Sequence, residues 1–332
     1  NIVCTSDGFV GKEGLIRRIG CIPTRKFQND LNLVKDIKYC FETLQTSVLM
    51  YPEASYSFDG TATPLPEGLA KLIKILGVPV IMIKTEGAFL RDPLYNGLRL
   101  RDAKVSARMY ALLSKEEIKD LKPAQIDALL REAFTFDNFR DQQEKGIKVT
   151  EDFRAIGLER ALYKCPHCMA EDMTSEGTKL ICKKCAAEYE LTEDGFLKRT
   201  NGETKFDHVP DWYKWERESV REEIESGKYH IELPVKIRVM ADMKAIYEVG
   251  EGTLTHSPNG FHLTGCDGAL DFTQSPKASY SLYADYFWYE LGDMVCIGDK
   301  ERLYYCFPPE DTNVCAKMRL ATEEMYKLAK RG

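Results

Sequence analysis

The feature that most constrains the fold of this chain is a pair of Cys-x2-Cys turns near its middle. Cys165 and Cys168 form the first turn, and after thirteen intervening residues Cys182 and Cys185 form the second. Two such turns joined by a hairpin can place four thiolates tetrahedrally around one zinc ion. The sequence therefore predicts a zinc ribbon over residues 161–200, in which the four cysteines hold a structural Zn²⁺ and leave no open position for a substrate.

Two other readings of these four cysteines are two disulfides and four free thiols. The chain has eleven cysteines, an odd number, and the other seven are scattered singly among apolar or strand-like residues. Such scattered thiols are typical of a protein in the reducing cytoplasm, where disulfides are disfavoured. Four unpaired thiols, in turn, would not be expected to fall into two matched turns. His167 lies inside the first turn, but four thiolates already close a structural site, so it is left out of the predicted ligand set.

The charge balance argues against a nucleic-acid partner. The chain carries 46 Lys and Arg against 52 Asp and Glu, a formal net charge of −6. Around the predicted ribbon, residues 164–190 hold four Lys and five acidic residues, so no basic stripe is formed there. Because binding to a polyanion depends on clustered cations, no nucleic-acid partner is expected.

Residues 1–113 are predicted to form an α/β domain. The pattern gives, in order, a helix at 31–44 with Asn29 or Asp30 as its cap, a strand at 47–51, a helix at 69–76 ended by Gly77, a strand at 78–83 and a strand at 104–113. The run 78–83 is apolar on both faces, which is typical of a central strand covered by helices. Alternation of helices and strands in this order indicates an α/β layer.

The remaining segments are a helical connector at 114–160, opened by a capping box at Ser114, and a β-rich domain at 201–332. A helix at 212–225 carries charges of both signs and is expected to be a solvated face. Short β-rich runs follow at 231–240, 245–249, 260–264, 269–272, 280–283, 286–289, 294–297 and 303–307, and a last helix is predicted at 314–330. Strands closed by one helix suggest a small barrel or sandwich, which resembles pleckstrin-homology and GRAM domains in element order.

Three short motifs in residues 1–95 carry a resemblance to a known family. Tyr51-Pro52-Glu53, with Ser55 and Ser57 after it, stands at the end of an apolar strand and opens a polar loop. The run Gly20-Cys-Ile-Pro-Thr-Arg25 precedes it, and Val78-Pro79-Val80 follows it. In order and spacing these segments resemble motifs two, three and four of the glycerolipid acyltransferases, typified by 1-acyl-glycerol-3-phosphate acyltransferase.

The resemblance implies transfer of an acyl group from a thioester, coenzyme A or acyl carrier protein, to a hydroxyl of a lysophospholipid such as 1-acyl-glycerol-3-phosphate. It implies that Arg25 contacts a phosphate and that Glu53 fixes the loop or the glycerol hydroxyls, with Ser55 and Ser57 beside it in the substrate site. The sequence departs from the motif at Ala54 and Tyr56, where the family has Gly and Arg, so one cation and one flexible residue are replaced.

The general base of that family, a His in a His-x4-Asp motif, precedes motif two. The chain begins at Asn1 without such a motif, so we expect a segment cut from a longer protein, with the base upstream of Asn1 and with little or no activity of its own. His167 with Asp172, and His262 with Asp267, match the spacing but follow motif three, which is the wrong order. The alternative is a non-catalytic lipid- or protein-binding scaffold with a structural zinc ribbon.

A lipid substrate implies peripheral contact with the inner face of the membrane from the cytoplasm. Residues 1–95 hold 11 Lys and Arg against 10 Asp and Glu, whereas the rest of the chain holds 35 against 42. The acyltransferase-like part therefore carries no net negative charge, whereas the rest of the chain does and would be repelled by anionic lipids.

Overall fold

A computed structural model describes residues 1–27 and 31–331 of the chain. It is a mixture of helices and strands, and the strands of the described residues form four separate sheets. The predicted caps Asn29 and Asp30 lie outside the described residues. Among the helices that are described, none is long and apolar enough to cross a bilayer.

The first part of the chain holds a small parallel sheet with helices beside it. Its elements are β1 (Ile2–Thr5), α1 (Glu13–Arg18), β2 (Cys21–Thr24), α2 (Leu31–Glu42) and α3 (Leu69–Leu76). β1 pairs with β2 in parallel, and Ile2 makes a single parallel bridge to Leu49. The predicted strand 47–51 is reduced to that bridge, because Pro52 ends the run and has no N–H to continue a ladder.

The next sheet is a two-stranded antiparallel hairpin. Its strands are β3 (Val80–Glu86) and β4 (Ser106–Leu113), with the short helix α4 (Ala88–Arg91) between them. Ile81 is 54% exposed and Ile83 is 49% exposed, whereas Met82 between them is buried. The prediction of a central strand covered on both faces is therefore wrong: with one partner strand, one face of β3 remains in contact with solvent.

Three helices make up the connector: α5 (Lys115–Asp120), α6 (Pro123–Phe134) and α7 (Asn138–Lys145). The predicted capping box at Ser114 is confirmed. The Glu117 N–H donates to Ser114 Oγ at 3.2 Å, and the Ser114 N–H donates to Glu117 Oε2 at 2.7 Å. Both donors would otherwise lack a partner in the first turn of α5.

A four-stranded antiparallel sheet with its strands in sequence order carries the cysteine turns: the first turn precedes the sheet, and the second begins at the end of its second strand. The strands are β5 (Met173–Glu176), β6 (Lys179–Cys182), β7 (Glu188–Leu191) and β8 (Leu197–Arg199). The long helix α8 (Val209–Glu225) follows. Trp212, Tyr213 and Val220 of α8 are buried, so the expectation of a solvated helix is wrong: one side of the helix packs into the core, and even the charged Glu216 is buried there.

The C-terminal part is a curled sheet of seven described strands closed by a helix, as the mostly-β prediction requires. The elements are β9 (Ile231–Met240), β10 (Tyr247–Ser257), β11 (Gly260–Gly265), β12 (Leu270–Gln274), β13 (Tyr283–Asp285), β14 (Met294–Gly298), β15 (Leu303–Phe307) and α9 (Val314–Arg331). The sheet order is β12-β11-β10-β9-β15-β14-β13, antiparallel throughout.

The predicted strand 286–289 is wrong. Phe287 and Tyr289 have φ values of 55° and 45°, and residues 288–290 form a 3-10 turn. These left-handed values break the extended backbone that a ladder needs. The aromatic residues that suggested a strand instead pack in a cluster, in which the Trp288 ring stacks on Tyr305 at 4.8 Å.

One hydrophobic core runs through the cysteine-bearing sheet, α8, α9 and the seven-stranded sheet. It joins Tyr189 of β7, Trp212 of α8, Leu254 of β10 and Met318 of α9 in a single cluster. A second cluster joins Phe27 of the N-terminal part to β14 and β15. The domain boundaries stay predictions, but the buried contacts are continuous across those at residues 160 and 200.

Candidate functional site

The four predicted ligands meet at one point. The sulfur atoms of Cys165, Cys168, Cys182 and Cys185 all lie within 4.8 Å of one another, and the group can hold a metal ion. Cys165 Sγ is 3.8 Å from Cys185 Sγ, and Cys168 Sγ is 3.6 Å from Cys182 Sγ. All four cysteines are free thiols, so the alternative of two disulfides has no support in the structure.

The two Cys-x2-Cys turns repeat one backbone geometry. In the first turn, the Met169 N–H donates to the Cys165 carbonyl at 2.9 Å, and the Cys165 N–H donates to the Ala170 carbonyl at 2.8 Å. In the second, the same two bonds are made between residues 182, 186 and 187, each at 2.9 Å. The residue after the second cysteine is left-handed in both turns, with φ 65° at Met169 and 55° at Ala186. Each turn therefore directs two sulfurs to the same side.

The thiols differ in acidity. Burial raises the pKa of Cys165 to about 12. Burial also acts to raise the pKa of Cys168, but hydrogen bonds from the Ala170 N–H and the neighbouring thiols outweigh it and lower that pKa to about 7. Burial thus favours the protonated form of the Cys165 thiol, and a positive charge at the centre of the cluster would favour its ionisation.

The residue before the first ligand ties the cluster to α8. The Lys164 N–H donates to Glu216 Oε1 at 2.8 Å, and the Lys164 carbonyl accepts from Trp212 Nε1 at 3.0 Å. Lys164 Nζ also bonds Ser219 and Glu223 at 2.6 and 2.9 Å. The side chain of Lys164 is only 8% exposed, so the seam between the sheet and the helix is dry and charged.

A separate cleft of about 1060 Å³ lies beside the acyltransferase-like motifs. Its wall is mainly apolar and includes the side chains of Val48, Met50, Ile73, Val80, Leu112 and Phe134. Of the predicted substrate residues, Glu53, Ser55 and Ser57 line this cleft, as do residues 78–83. The apolar residues of α6 in the cleft wall, Leu130, Ala133 and Phe134, were not predicted as site residues, and neither were the polar residues that α7 contributes. The amphipathic pattern of α6 was the only signal for the first group.

The loop after Tyr51 is internally braced. Glu53 Oε1 accepts from the Thr63 N–H at 2.9 Å and from Thr63 Oγ1 at 3.2 Å. Burial raises the pKa of Glu53, although the two bonds from Thr63 oppose the shift. Ala54 adopts φ 54°, the left-handed conformation that the family's glycine would take without strain. The carboxylate of Glu53 therefore fixes the loop, one of the two roles that the resemblance implies.

Arg25 lies apart from the cleft residues. Its Nη1 donates to the Asp299 carbonyl at 2.9 Å and its Nη2 to the Glu301 carbonyl at 3.4 Å, in the turn between β14 and β15. The neighbouring Lys26 Nζ lies 3.7 Å from the centre of the Tyr283 ring. The structure therefore brings Glu53, Ser55 and Ser57 together but gives Arg25 partners in the C-terminal part.

A His–Asp pair that the sequence did not suggest lies behind the cleft wall. His208 Nε2 is 2.7 Å from Asp137 Oδ2, and Asp137 lines the cleft. His208 itself is buried, and Asp137 also caps α7 through the Arg140 N–H at 2.9 Å. With these partners the pair joins the starts of α7 and α8, and its imidazole does not face the cleft.

Comparison of the chain with models of known protein families, with curated proteins and with solved structures gives no match.

Proposed function

We propose that this chain is the acyl-chain-binding part of a glycerolipid acyltransferase that acylates a lysophospholipid from coenzyme A or acyl carrier protein. The observation that carries the proposal is the cleft, because segments of two acyltransferase-like motifs, residues 51–57 and 78–83, meet in its wall. A volume of about 1060 Å³ is at the upper end of the usual range for ligand sites, about 300–1,000 Å³. A mainly apolar wall of that size suits a long acyl chain.

In this proposal the chain's own residues bind and orient the substrate. The apolar part of the wall holds the acyl chain, and the loop that carries Glu53 and Ser55 faces the acceptor end of the lipid. None of the cleft residues is assigned as the general base. A substrate of this kind would be met at the cytoplasmic face of a membrane.

Filling the cleft tests this proposal. Ala133 of α6 is half-buried and lines the cleft, whereas Ala128 of the same helix is exposed and does not. Ala133→Phe is expected to weaken binding of a fluorescent long-chain fatty acid at least about tenfold by occupying the acyl site. Ala128→Phe places the same side chain on the same helix and is expected to bind like the wild type. Equal binding by all three proteins, or none by the wild type, would reject the acyl site.

For the cysteine cluster we propose a structural zinc ribbon. Sulfurs about 2.3 Å from a tetrahedral zinc lie about 3.8 Å apart, close to the 3.6 and 3.8 Å separations found here. Zinc would add folding free energy to a small sheet and would release the protons of the thiols.

A metal assay on two serine variants tests the ribbon. The purified protein is expected to hold one zinc per chain, and Cys168→Ser is expected to lose most of it. Cys266→Ser, at a half-buried cysteine outside the cluster, should keep the full amount. Wild-type protein without zinc would contradict the assignment.

The second candidate function is a non-catalytic scaffold that binds lipid or protein. The bonding of Arg25 to the carbonyls of residues 299 and 301 favours it, because the guanidinium is then shared with protein acceptors instead of a phosphate. The sequence immediately upstream of Asn1 separates the two: a His-x4-Asp motif there supports the enzyme, and its absence from that region supports the scaffold.

A further inference from the structure

The loop of residues 51–57, which lines the cleft, is held by the C-terminal helix. Arg319 of α9 is 3% exposed, and its Nη1 donates to the Tyr56 carbonyl at 2.9 Å. Its guanidinium carbon lies 4.6 Å from the centre of the Phe58 ring. That ring stacks on Tyr286 with centres 4.5 Å apart. The C-terminal part of the chain thus sets the position of a loop that lines the cleft.

The Tyr56 carbonyl has a second donor. Ser55 Oγ donates to it at 3.2 Å, a longer bond than that from Arg319, and Ser55 lines the cleft. Ser57 is occupied, because its hydroxyl donates to the Thr61 carbonyl at 2.6 Å and accepts from the Gly60 N–H at 2.9 Å. A bond from a charged donor is stronger than one from a neutral hydroxyl. With Arg319 in place, the Ser55 hydroxyl can turn to a ligand without leaving the carbonyl unpaired.

We propose that Arg319 is a positioning residue: it satisfies the Tyr56 carbonyl and so frees the Ser55 hydroxyl to bind the glycerol hydroxyl of a monoacyl lipid. The inference rests on the proposed function, since it assumes an acyl chain in the cleft. It adds a specific recognition contact for the acceptor end of the ligand, made by Ser55 under the control of a residue 264 positions away in the chain.

The test compares two lipids that differ by one hydroxyl. Oleoyl-glycerol 3-phosphate and its 2-deoxy analogue are each used to displace a fluorescent fatty acid. The wild type is expected to prefer the lipid with the hydroxyl about tenfold, the value of one good hydrogen bond. Arg319→Gln and Ser55→Ala are each expected to reduce that preference to about one, and the double variant should lose nothing more.

Arg217 supplies a matched control. Arg217 Nη1 bonds Glu323 at 2.6 Å, and Arg319 Nε bonds the same carboxyl group at 3.4 Å. Arg217→Gln removes a partly buried ion pair to the same carboxyl group, and a second one to Glu324 at 3.2 Å, while the donor to Tyr56 is kept. Its hydroxyl preference should therefore equal that of the wild type. Arg319→Lys keeps a charged donor and is expected to restore part of the preference; it also serves if the Gln variant does not fold.

The outcomes separate the two proposals. No preference in the wild type, or an equal loss in the Arg217 and Arg319 variants, overturns the role of Arg319 but leaves the acyl site standing. Failure of the wild type to bind the fluorescent fatty acid rejects the acyl site, and the role of Arg319 falls with it.

Discussion

His256 is an imidazole held in an apolar environment. It is 1% exposed, its Nδ1 lies 2.9 Å from the Tyr229 hydroxyl, and its ring stacks on Phe261 with centres 3.8 Å apart. Burial lowers its pKa from 6.5 to about 3. The folded protein therefore keeps this side chain neutral across a range of pH in which the unfolded chain protonates it.

The pH dependence of stability should report this residue. Because the unfolded state binds the extra proton, His256 reduces the free energy of unfolding as the pH falls from 6.5 towards 3. The variant His256→Asn keeps an amide oxygen that can accept from Tyr229. Between about pH 7 and about pH 5, its free energy of unfolding should fall less steeply than that of the wild type, by up to about 1.4 kcal/mol per pH unit. Urea denaturation at both pH values measures it.

His262 provides the control for that measurement. It lies 2.9 Å from Asp271, and its side chain is 47% exposed. His262→Asn should leave the loss of stability on acidification at least as steep as in the wild type. Parallel pH profiles for wild type and His256→Asn would show that His256 does not carry the effect.

A site can be predicted from the sequence when its residues recur at a short, characteristic spacing along the chain. The four cysteines were predicted from two local turns, and the structure places their sulfurs together. The pair of His208 and Asp137 spans 71 residues, and no motif spacing links the two residues. Arg25 and Arg319 have partners more than 260 residues away, which no motif spacing could show.

At the scale of elements, β3 shows what an apolar run does not encode. The period-2 alternation of a strand is present in its burial, with Met82 in the core and its neighbours exposed, but not in its residue types. Met82→Thr is expected to cost about 2 kcal/mol or more of the free energy of unfolding. Ile83→Thr, at a 49% exposed position, is expected to stay within about 0.5 kcal/mol.

Chemical denaturation measures the free energy of unfolding of the two variants. Both substitutions introduce Thr into β3, and they differ in the face of the strand that they alter. Similar large losses for Met82→Thr and Ile83→Thr would mean that the outer face of the hairpin is covered in the folded protein. The experiment thus distinguishes the open hairpin described here from the covered strand that the sequence predicts.

Predictions of the elements were most accurate where turns punctuate the sequence. The runs 231–240 and 303–307 match β9 and β15 residue for residue, since Gly227 and Asp242 flank the first and Asp299 and Pro308 flank the second. The prediction of a strand at 286–289 was wrong because aromatic residues favour strands through their packing, and here the same residues pack from a 3-10 turn. The pairing order of the seven strands depends on long-range contacts, so the sequence pattern does not distinguish a barrel from a sandwich.

At the scale of the whole molecule, the shared core links the cysteine cluster to the rest of the fold. Trp212 is fully buried, with its ring centre 4.8 Å from that of Tyr189, and its indole N–H bonds the residue before Cys165. Treatment with a chelator, which would remove a zinc ion held as proposed, is therefore expected to lower the melting temperature of the whole protein and to shift Trp emission to longer wavelength. Differential scanning fluorimetry with Trp detection measures both.

The Cys168→Ser variant is the control for that experiment. It should melt at the lower temperature before the chelator is added and should change little afterwards. A wild-type melting temperature that does not respond to the chelator would contradict the prediction that metal binding at the cluster contributes folding free energy.

The dry seam between Lys164 and α8 has a consequence for how such a chain could evolve. A module that is exchanged freely between proteins needs a surface that both neighbours can expose to water. Here Trp212 and Glu216 are 0% exposed, and both bond the backbone of Lys164, so deleting the cysteine-bearing sheet would uncover an indole and a carboxyl group that are now buried. Chains that lost the sheet in descent should therefore have changed both positions of the helix as well, and the two should vary with the cysteines as a single inherited unit.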